Sequence, residues 1–92
     1  MKKIFKYSLP VQEKFMLELP SGAEIIRVDD VDGKFWLWAI VDPEAANEPR
    51  RFECYKTGQP METPRDHLKY IGFCKLFIMQ ELCLYIFENI HE

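Results

Sequence analysis

An almost unbroken apolar segment at residues 35–42, FWLWAIVD, contains both tryptophans of this chain and directly follows Asp32-Gly33 and Lys34. An Asp-Gly pair tolerates the positive φ angles of a type I′ turn, so it predicts the tip of a β-hairpin. Successive side chains of a strand point to opposite faces, and this segment is apolar on both. Such a strand has to be covered on both faces, by the rest of the chain or by a partner. The segment therefore predicts the central strand of the fold.

The predicted two-residue turn also fixes which side chains of the hairpin share a face. Counting outward from the turn places Asp29 opposite Trp36 and Arg27 opposite Trp38. The face without charge near its middle is the predicted core, formed by Ile26, Val28, Leu37 and Ala39. The other face sets Arg27 beside Trp38, a cation–π pair suited to a half-exposed surface. We therefore predict that Trp38 is partly accessible and anchors whatever the protein binds.

Alternating apolar and polar residues predict further strands before and after this hairpin. These strands lie near residues 4–9, 14–19, 23–30, 51–55, 67–76 and 82–88. Asp42 is a helix-capping residue and Pro43 suits the first helical position, so one short helical turn is predicted near 43–48. Pro49 limits its length.

The C-terminal third of the sequence allows two interpretations. In the strand interpretation, Gly72 lies within one strand whose shared face is formed by Leu68, Tyr70, Cys74 and Leu76. One amphipathic helix over 76–90 competes, because five apolar residues there also follow helical spacing. The aromatic and β-branched residues at 84–87 favour the strands.

The absence of alternating strands and helices predicts the fold class. We expect a mainly β protein, a small antiparallel sheet or meander forming a sandwich or a partly open barrel. Residues 1–92 form a single domain, because 92 residues suffice for one modest core.

Composition excludes several classes of protein. With 48% hydrophobic residues the chain is not disordered, and a net charge of -3 gives no overall field that attracts nucleic acid. No segment reads as a secretory leader or a membrane span, so we expect a cytoplasmic protein. The three cysteines include no CxxC pair and are expected as free thiols, although a bridge between Cys74 and Cys83 is geometrically conceivable.

Catalytic and metal-binding patterns are missing from the sequence. His67 lies beside Asp66 but no nucleophile accompanies it, and neither serine has a nucleophile-elbow context. The acidic cluster before Gly33 lacks the later ligands of a calcium loop. We therefore expect no enzyme, no cofactor and no metal site.

Two binding alternatives follow from the residues. Seven basic residues with interleaved aromatics are compatible with a strip for single-stranded nucleic acid, namely Lys2, Lys3, Lys6, Arg50, Arg51, Lys56 and Arg65. A small-molecule pocket between the tryptophans and the loop at Thr57-Gly58 is the other alternative. Both rank below a protein partner.

The order of short motifs resembles that of a family of small bacteriophage and prophage proteins with no assigned activity. The motifs are MKKIFKYSLP, LPSGAEIIRV, WLWAIVDPEA, RRFECYKTGQP, LKYIGF and YIFE. The family pattern has a Gly-Thr-Gly turn where this chain has Lys56-Thr57-Gly58. The resemblance implies a phage or prophage gene product acting in the bacterial cytoplasm.

Together, the residues and the resemblance predict a non-enzymatic phage accessory protein that acts by binding a protein, in host takeover or counter-defence. The partner is a host protein or a second copy of the chain in a homodimer, and no membrane is involved. The candidate binding surface consists of Arg27, Trp36, Trp38, Thr57 and Gly58.

Overall fold

Seven strands and one three-residue 3-10 turn make up the computed structural model, which describes residues 1–92. The strands are β1 (Lys3–Leu9), β2 (Lys14–Pro20), β3 (Glu24–Val31), β4 (Lys34–Val41), β5 (Asn47–Lys56), β6 (Leu68–Ile78) and β7 (Gln80–Asn89). All pairings between them are antiparallel. The predicted mainly β fold is therefore confirmed. None of the helical segments has the length and hydrophobicity of a membrane-spanning helix.

The strands form two sheets that pack face to face. The three-stranded sheet has the order β1-β4-β3, and the four-stranded sheet has the order β2-β5-β7-β6. The two-tryptophan strand β4 is central in the first sheet, as predicted. The sheets meet where β3 runs along β6, but no ladder of backbone hydrogen bonds joins them there, so they form a sandwich and not a closed barrel.

The core lies between the two sheets. One face of β4 is completely buried there, through Phe35, Leu37, Ala39 and Val41. The four-stranded sheet contributes the opposing side chains Leu19, Phe52, Cys54, Cys74 and Ile86. Each fully buried large apolar side chain stabilises such a core by about 1.5–3 kcal/mol. Alternation along β2, one of the strands that the sequence predicts, places Leu19 in this core.

The register of the β3–β4 hairpin agrees with the prediction near the turn and departs from it farther away. Val28 pairs with Leu37 and Arg27 with Trp38, as expected. A β-bulge between Ile25 and Arg27 then adds one residue to β3, so Ile25 takes the place opposite Ala39. Because one extra residue reverses the faces of a strand, Ile26 points outward and is 45% exposed. Its assignment to the core was wrong.

The helical turn predicted near 43–48 is also wrong. Asp42 does accept a hydrogen bond from the backbone N–H of Glu44 at 3.0 Å, and the N–H of Ala45 bonds to its carbonyl at 3.1 Å. This single turn does not continue, because Ala46 already accepts a bond from the Ser21 N–H at 2.8 Å and β5 begins at Asn47. The only helical segment is Arg65–His67.

The C-terminal third forms the β6–β7 hairpin, so the strand interpretation is confirmed over the helix. Its turn is a single residue, Met79, held at φ 59° between the paired residues Ile78 and Gln80. A second bulge, between Tyr70 and Gly72, reverses the faces of β6. Leu68 and Tyr70 therefore share a face with Phe73 and not with Cys74 and Leu76, which corrects the predicted grouping.

Two charged side chains tie the four-stranded sheet to β3 and to the turn before it. The carboxylate of Asp30, on β3, accepts the backbone N–H of Lys75, on β6, at 2.7 Å. On the central strands of the four-stranded sheet, Arg50 of β5 forms a two-pronged ion pair with the buried Glu88 of β7, with one N–H···O distance of 2.9 Å. The same guanidinium donates to the Ala23 carbonyl at 2.7 Å, which ties the turn before β3 to the four-stranded sheet.

Candidate binding surface

The two tryptophans project from the face of β4 that points away from the core. Trp36 and Trp38 alternate with the buried Phe35 and Leu37, and both rings are half-buried. Their neighbours on the same face come from β1 and β3, which pair with β4 on either side. The predicted partial accessibility of Trp38 is therefore confirmed.

Two cations lie against the tryptophan rings. The Lys6 ammonium is 4.1 Å from the centroid of Trp36 and 5.6 Å from that of Trp38. The Arg27 guanidinium, on β3 and so on the other side of β4 from Lys6, lies 4.7 Å from the centroid of the Trp38 ring. This is the cation–π pair that was predicted from the register of the hairpin. Attraction between a cation and an indole ring is worth about 0.5–1 kcal/mol at an exposed site and more when water is excluded.

Arg27 is held in this position by a carboxylate. Its Nη2 atom lies 2.6 Å from Oδ2 of Asp29, and the other oxygen of Asp29 accepts the Asp30 N–H at 2.8 Å. The hydrogen bond from Arg27 lowers the pKa of Asp29, so this carboxylate stays ionised. We call the set Lys6, Arg27, Asp29, Trp36 and Trp38 the tryptophan face.

Lys6 was not part of the predicted surface. It belongs to the face because β1 pairs with β4, and Lys6 lies opposite Trp38 in that ladder. Ile4, Lys6 and Ser8 do alternate with apolar residues in the sequence, which identifies an outward face of β1. No sequence signal, however, says which strand β1 joins, because strands β1 and β4 are not consecutive.

Thr57 and Gly58 lie apart from the tryptophans. They form the turn after β5, on the four-stranded sheet, with Gly58 at φ 86° and the Gln59 N–H bonded to the Lys56 carbonyl at 3.1 Å. Thr57 lines a shallow cavity with Glu81 and Cys83, and no tryptophan is in its wall. The pocket predicted between this loop and the tryptophans is not formed, because the two lie on different sheets.

The basic residues do not form one strip. Arg50 is engaged with Glu88 between the sheets, whereas Lys6 lies on the tryptophan face. Arg65 lies over the ring of Phe87 at 5.5 Å, on the outer side of the four-stranded sheet. Of the aromatics interleaved with them, Phe5 and Tyr7 lie together on β1 with ring centroids 6.4 Å apart, whereas Tyr55 is buried on the four-stranded sheet.

The two histidines meet, which the sequence did not indicate. Their rings stack with centroids 3.6 Å apart and planes 5° apart. The 3-10 turn brings His67 to the C-terminal segment, where the Ile90 N–H donates to the His67 carbonyl at 2.8 Å. The pair closes one end of the four-stranded sheet. No group of three or more His, Cys, Asp or Glu side chains is placed to hold a metal ion.

The cysteines are free thiols, as expected. Cys54 and Cys74 point into the core, where burial raises their pKa values to about 11 and about 12. Cys83 pairs with Lys75 and faces outward from β7. The conceivable bridge between Cys74 and Cys83 is not formed, because their side chains leave opposite faces of the sheet.

A second aromatic surface lies on the outer side of the four-stranded sheet. Cross-strand pairing places Phe73 beside Tyr85 and Tyr70 beside Phe87 there, and Phe77 follows toward the turn. The sequence placed most of these residues in strands but did not single them out. We call the outward side chains of β6 and β7 from Tyr70 to Tyr85 the hairpin face.

The loop after β5 covers one side of this outer surface through a buried carboxylate. Glu53 accepts hydrogen bonds from the Thr63 hydroxyl at 2.7 Å, the Asn89 amide at 2.9 Å and the Tyr55 hydroxyl. Burial alone would raise the pKa of Glu53, but these three hydrogen bonds outweigh it and lower the pKa. The network fixes the loop over Tyr55.

The whole chain matches the model of one protein family. The model of a family described as a domain of unknown function, DUF7352, matches residues 1–92, so the chain belongs to this family. No curated protein and no solved structure matches it.

Proposed function

We propose that this member of the DUF7352 family is a non-enzymatic binding protein whose tryptophan face docks a protein partner. The observation that carries the proposal is that both tryptophans point out of the core with cations against their rings. The core is complete without them, because the opposite face of β4 supplies its buried residues.

The residue types and their order suit a protein interface. Tryptophan and arginine dominate the side chains that contribute most to protein–protein binding. Both indole rings keep part of their surface exposed and lie on the same face of β4, so together they offer an apolar contact to a partner. The ion pair with Asp29 already orders Arg27, and less side-chain entropy is lost when a partner binds.

The charges on the face indicate the chemistry of the partner. Asp29 balances Arg27, whereas Lys6 forms no ion pair. The partner segment that fits best therefore carries an apolar or aromatic side chain for the exposed ring edges and a carboxylate for Lys6. Such charge complementarity affects mainly the rate of association and the choice of partner.

The sequence resemblance supplies the proposed setting. Motifs such as KIFKYSLP and WLWAIVDPEA support a phage or prophage gene product that acts in the cytoplasm of a bacterial host. In that setting the partner is a host protein, and binding serves host takeover or counter-defence. This step rests on the resemblance and not on the geometry of the face.

Affinity capture with matched variants tests the proposal. Tagged wild-type protein, Trp38→Ala and Met16→Ala are incubated with bacterial lysate, and the affinity for any retained protein is then measured. Met16 is an exposed apolar residue outside both aromatic faces, so its variant is the control. Loss of a central tryptophan is expected to weaken binding by about 30-fold or more, equivalent to about 2 kcal/mol, with Met16→Ala unchanged. Equal binding by wild type and Trp38→Ala, or no retained protein, contradicts the proposal.

A further inference from the structure

The hairpin face exposes more aromatic surface than the tryptophan face does. Its largest exposed side chains are Tyr70 (45%), Phe73 (44%), Phe77 (77%), Tyr85 (37%) and, at the turn, Met79 (96%). Monomeric proteins seldom expose a contiguous apolar patch of several such residues, and a patch of this kind usually marks an interaction site.

Nothing within the chain covers this face. The loop held by Glu53 covers Tyr55, on the β5 side of the sheet. The last residue of β5, Lys56, pairs with Leu84, so the hairpin from Lys75 to Cys83 extends beyond β5. The protruding part is thus flanked by no strand on its β7 edge.

The exposed apolar area matches what a homodimer needs. At about 200 Å² for a whole large side chain, the four rings expose roughly 400 Å², and Met79 raises the total to about 600 Å². A standard interface buries about 800 Å² on each partner. In a homodimer about 65% of this area, or roughly 520 Å², is apolar. One copy therefore already presents the apolar area of a standard homodimer contact.

The charges of the face favour a second copy over nucleic acid. Lys75 and Glu81 lie side by side, with Nζ and Oε1 3.5 Å apart, and both are more than half exposed. A strand of nucleic acid needs unpaired cations along its backbone. An isologous contact repeats each interaction twice, so a face with one lysine and one glutamate is complementary to its own copy.

We propose that a second copy of this chain docks on the hairpin face, so that two β6–β7 hairpins pack through Tyr70, Phe73, Phe77 and Tyr85. Cys83 lies within the same face, on the strand between Tyr85 and the turn. This surface is separate from the tryptophan face, which belongs to the other sheet, and both can be occupied at once.

Sedimentation equilibrium of the full chain under reducing conditions tests this proposal. Wild type is expected to dimerise with a Kd in the micromolar range or tighter. Phe77→Lys should raise that Kd by at least about 30-fold, since it replaces an interface aromatic by a charge. Phe77 is 77% exposed, so the variant is expected to fold, which circular dichroism checks. Met16→Lys and Trp38→Ala should leave the Kd unchanged.

Chemical modification supplies a second, independent test. A bulky maleimide on the partly exposed Cys83 of native protein should dissociate the dimer, and Cys83→Ser should make the dimer resistant to the reagent. A wild type that stays monomeric at all concentrations, or a Phe77→Lys protein that dimerises like wild type, overturns the proposal. A monomer that binds a fluorescent single-stranded oligonucleotide through Phe77 also overturns it, in favour of nucleic acid.

Discussion

Gly72 on β6 lies close against Val28 on β3, and Gly72→Ala tests the packing between the two sheets there. Its φ is 146°, a region that side chains with a Cβ rarely adopt, and a Cβ added to it lies 3.1 Å from the Cβ of Val28 on β3. The neighbouring atom is bonded directly to the backbone of a paired strand, so it cannot move away freely. Backbone strain costs about 1–3 kcal/mol and overpacking a further 1–3 kcal/mol.

We therefore expect Gly72→Ala to lower the free energy of unfolding by about 2–6 kcal/mol, measured by urea denaturation followed by far-UV circular dichroism. A loss near 3 kcal/mol corresponds to a fall in Tm of roughly 12–24 °C for a domain of this size. Gly58→Ala is the matched control, since Gly58 has φ 86° but no atom within 4 Å of an added Cβ. The Gly58→Ala variant should lose only the free energy of unfolding that backbone strain costs, about 1–2 kcal/mol.

A double-mutant cycle separates the steric contact from the strain. Adding Val28→Gly to Gly72→Ala removes the Cβ and Cγ1 atoms of residue 28 that the new methyl group meets, so the two losses should be less than additive by about 0.5 kcal/mol or more. If Gly72→Ala is no more destabilising than Gly58→Ala, or if the coupling with Val28 is zero, the proposed close approach of the sheets is refuted.

Three further predictions follow from the core and its buried groups. Leu37→Ala should reduce the free energy of unfolding, measured by urea denaturation, by about 2–5 kcal/mol, whereas Trp38→Ala should leave the fold largely intact. If Trp38→Ala is the more destabilising of the two variants, the buried and exposed faces of β4 are the reverse of those described. Because the pKa of Glu53 is lower in the folded state than its ordinary value near 4.5, its stabilising contribution is present above that pH and is lost as pH falls through the folded pKa. Glu53→Gln should flatten the loss of stability on acidification, and Glu18→Gln, an exposed control, should not. In the native state, iodoacetamide should modify Cys83 well before the core thiols, and equal rates of all three in mass spectrometry are incompatible with the burial of Cys54 and Cys74.

Features encoded by neighbouring residues could be predicted from the sequence. The turn at Asp32-Gly33 set the register of its hairpin correctly as far as Arg27, and strand alternation placed Leu37 and Ala39 in the core. The same local rule failed at Ile26, because a bulge depends on how a strand fits its neighbours and leaves no mark in the alternation. The prediction of a helical turn after Asp42 failed because the next strand, β5, pairs with β2. This pairing keeps the chain extended from Asn47 onward.

The candidate surface was only half predictable for a related reason. Arg27 and Trp38 meet through a local hairpin, so their contact followed from counting residues. Lys6 reaches the same rings through pairing of β1 with β4, strands separated along the chain by β2 and β3. Thr57 was assigned to the same surface as the tryptophans. It follows β5, in the other sheet, so the observed order of strands does not bring it near them.

The most direct test of the central claim, that the tryptophan face is the docking surface for a protein, uses the tryptophans themselves. The chain has two, and both lie on this face, so ¹⁹F NMR of protein labelled with 5-fluorotryptophan reports on this surface alone. Titration with a purified captured partner should shift or broaden both resonances in proportion to the bound fraction. Saturation of the partner with both resonances unmoved would show that binding takes place elsewhere and contradict the claim.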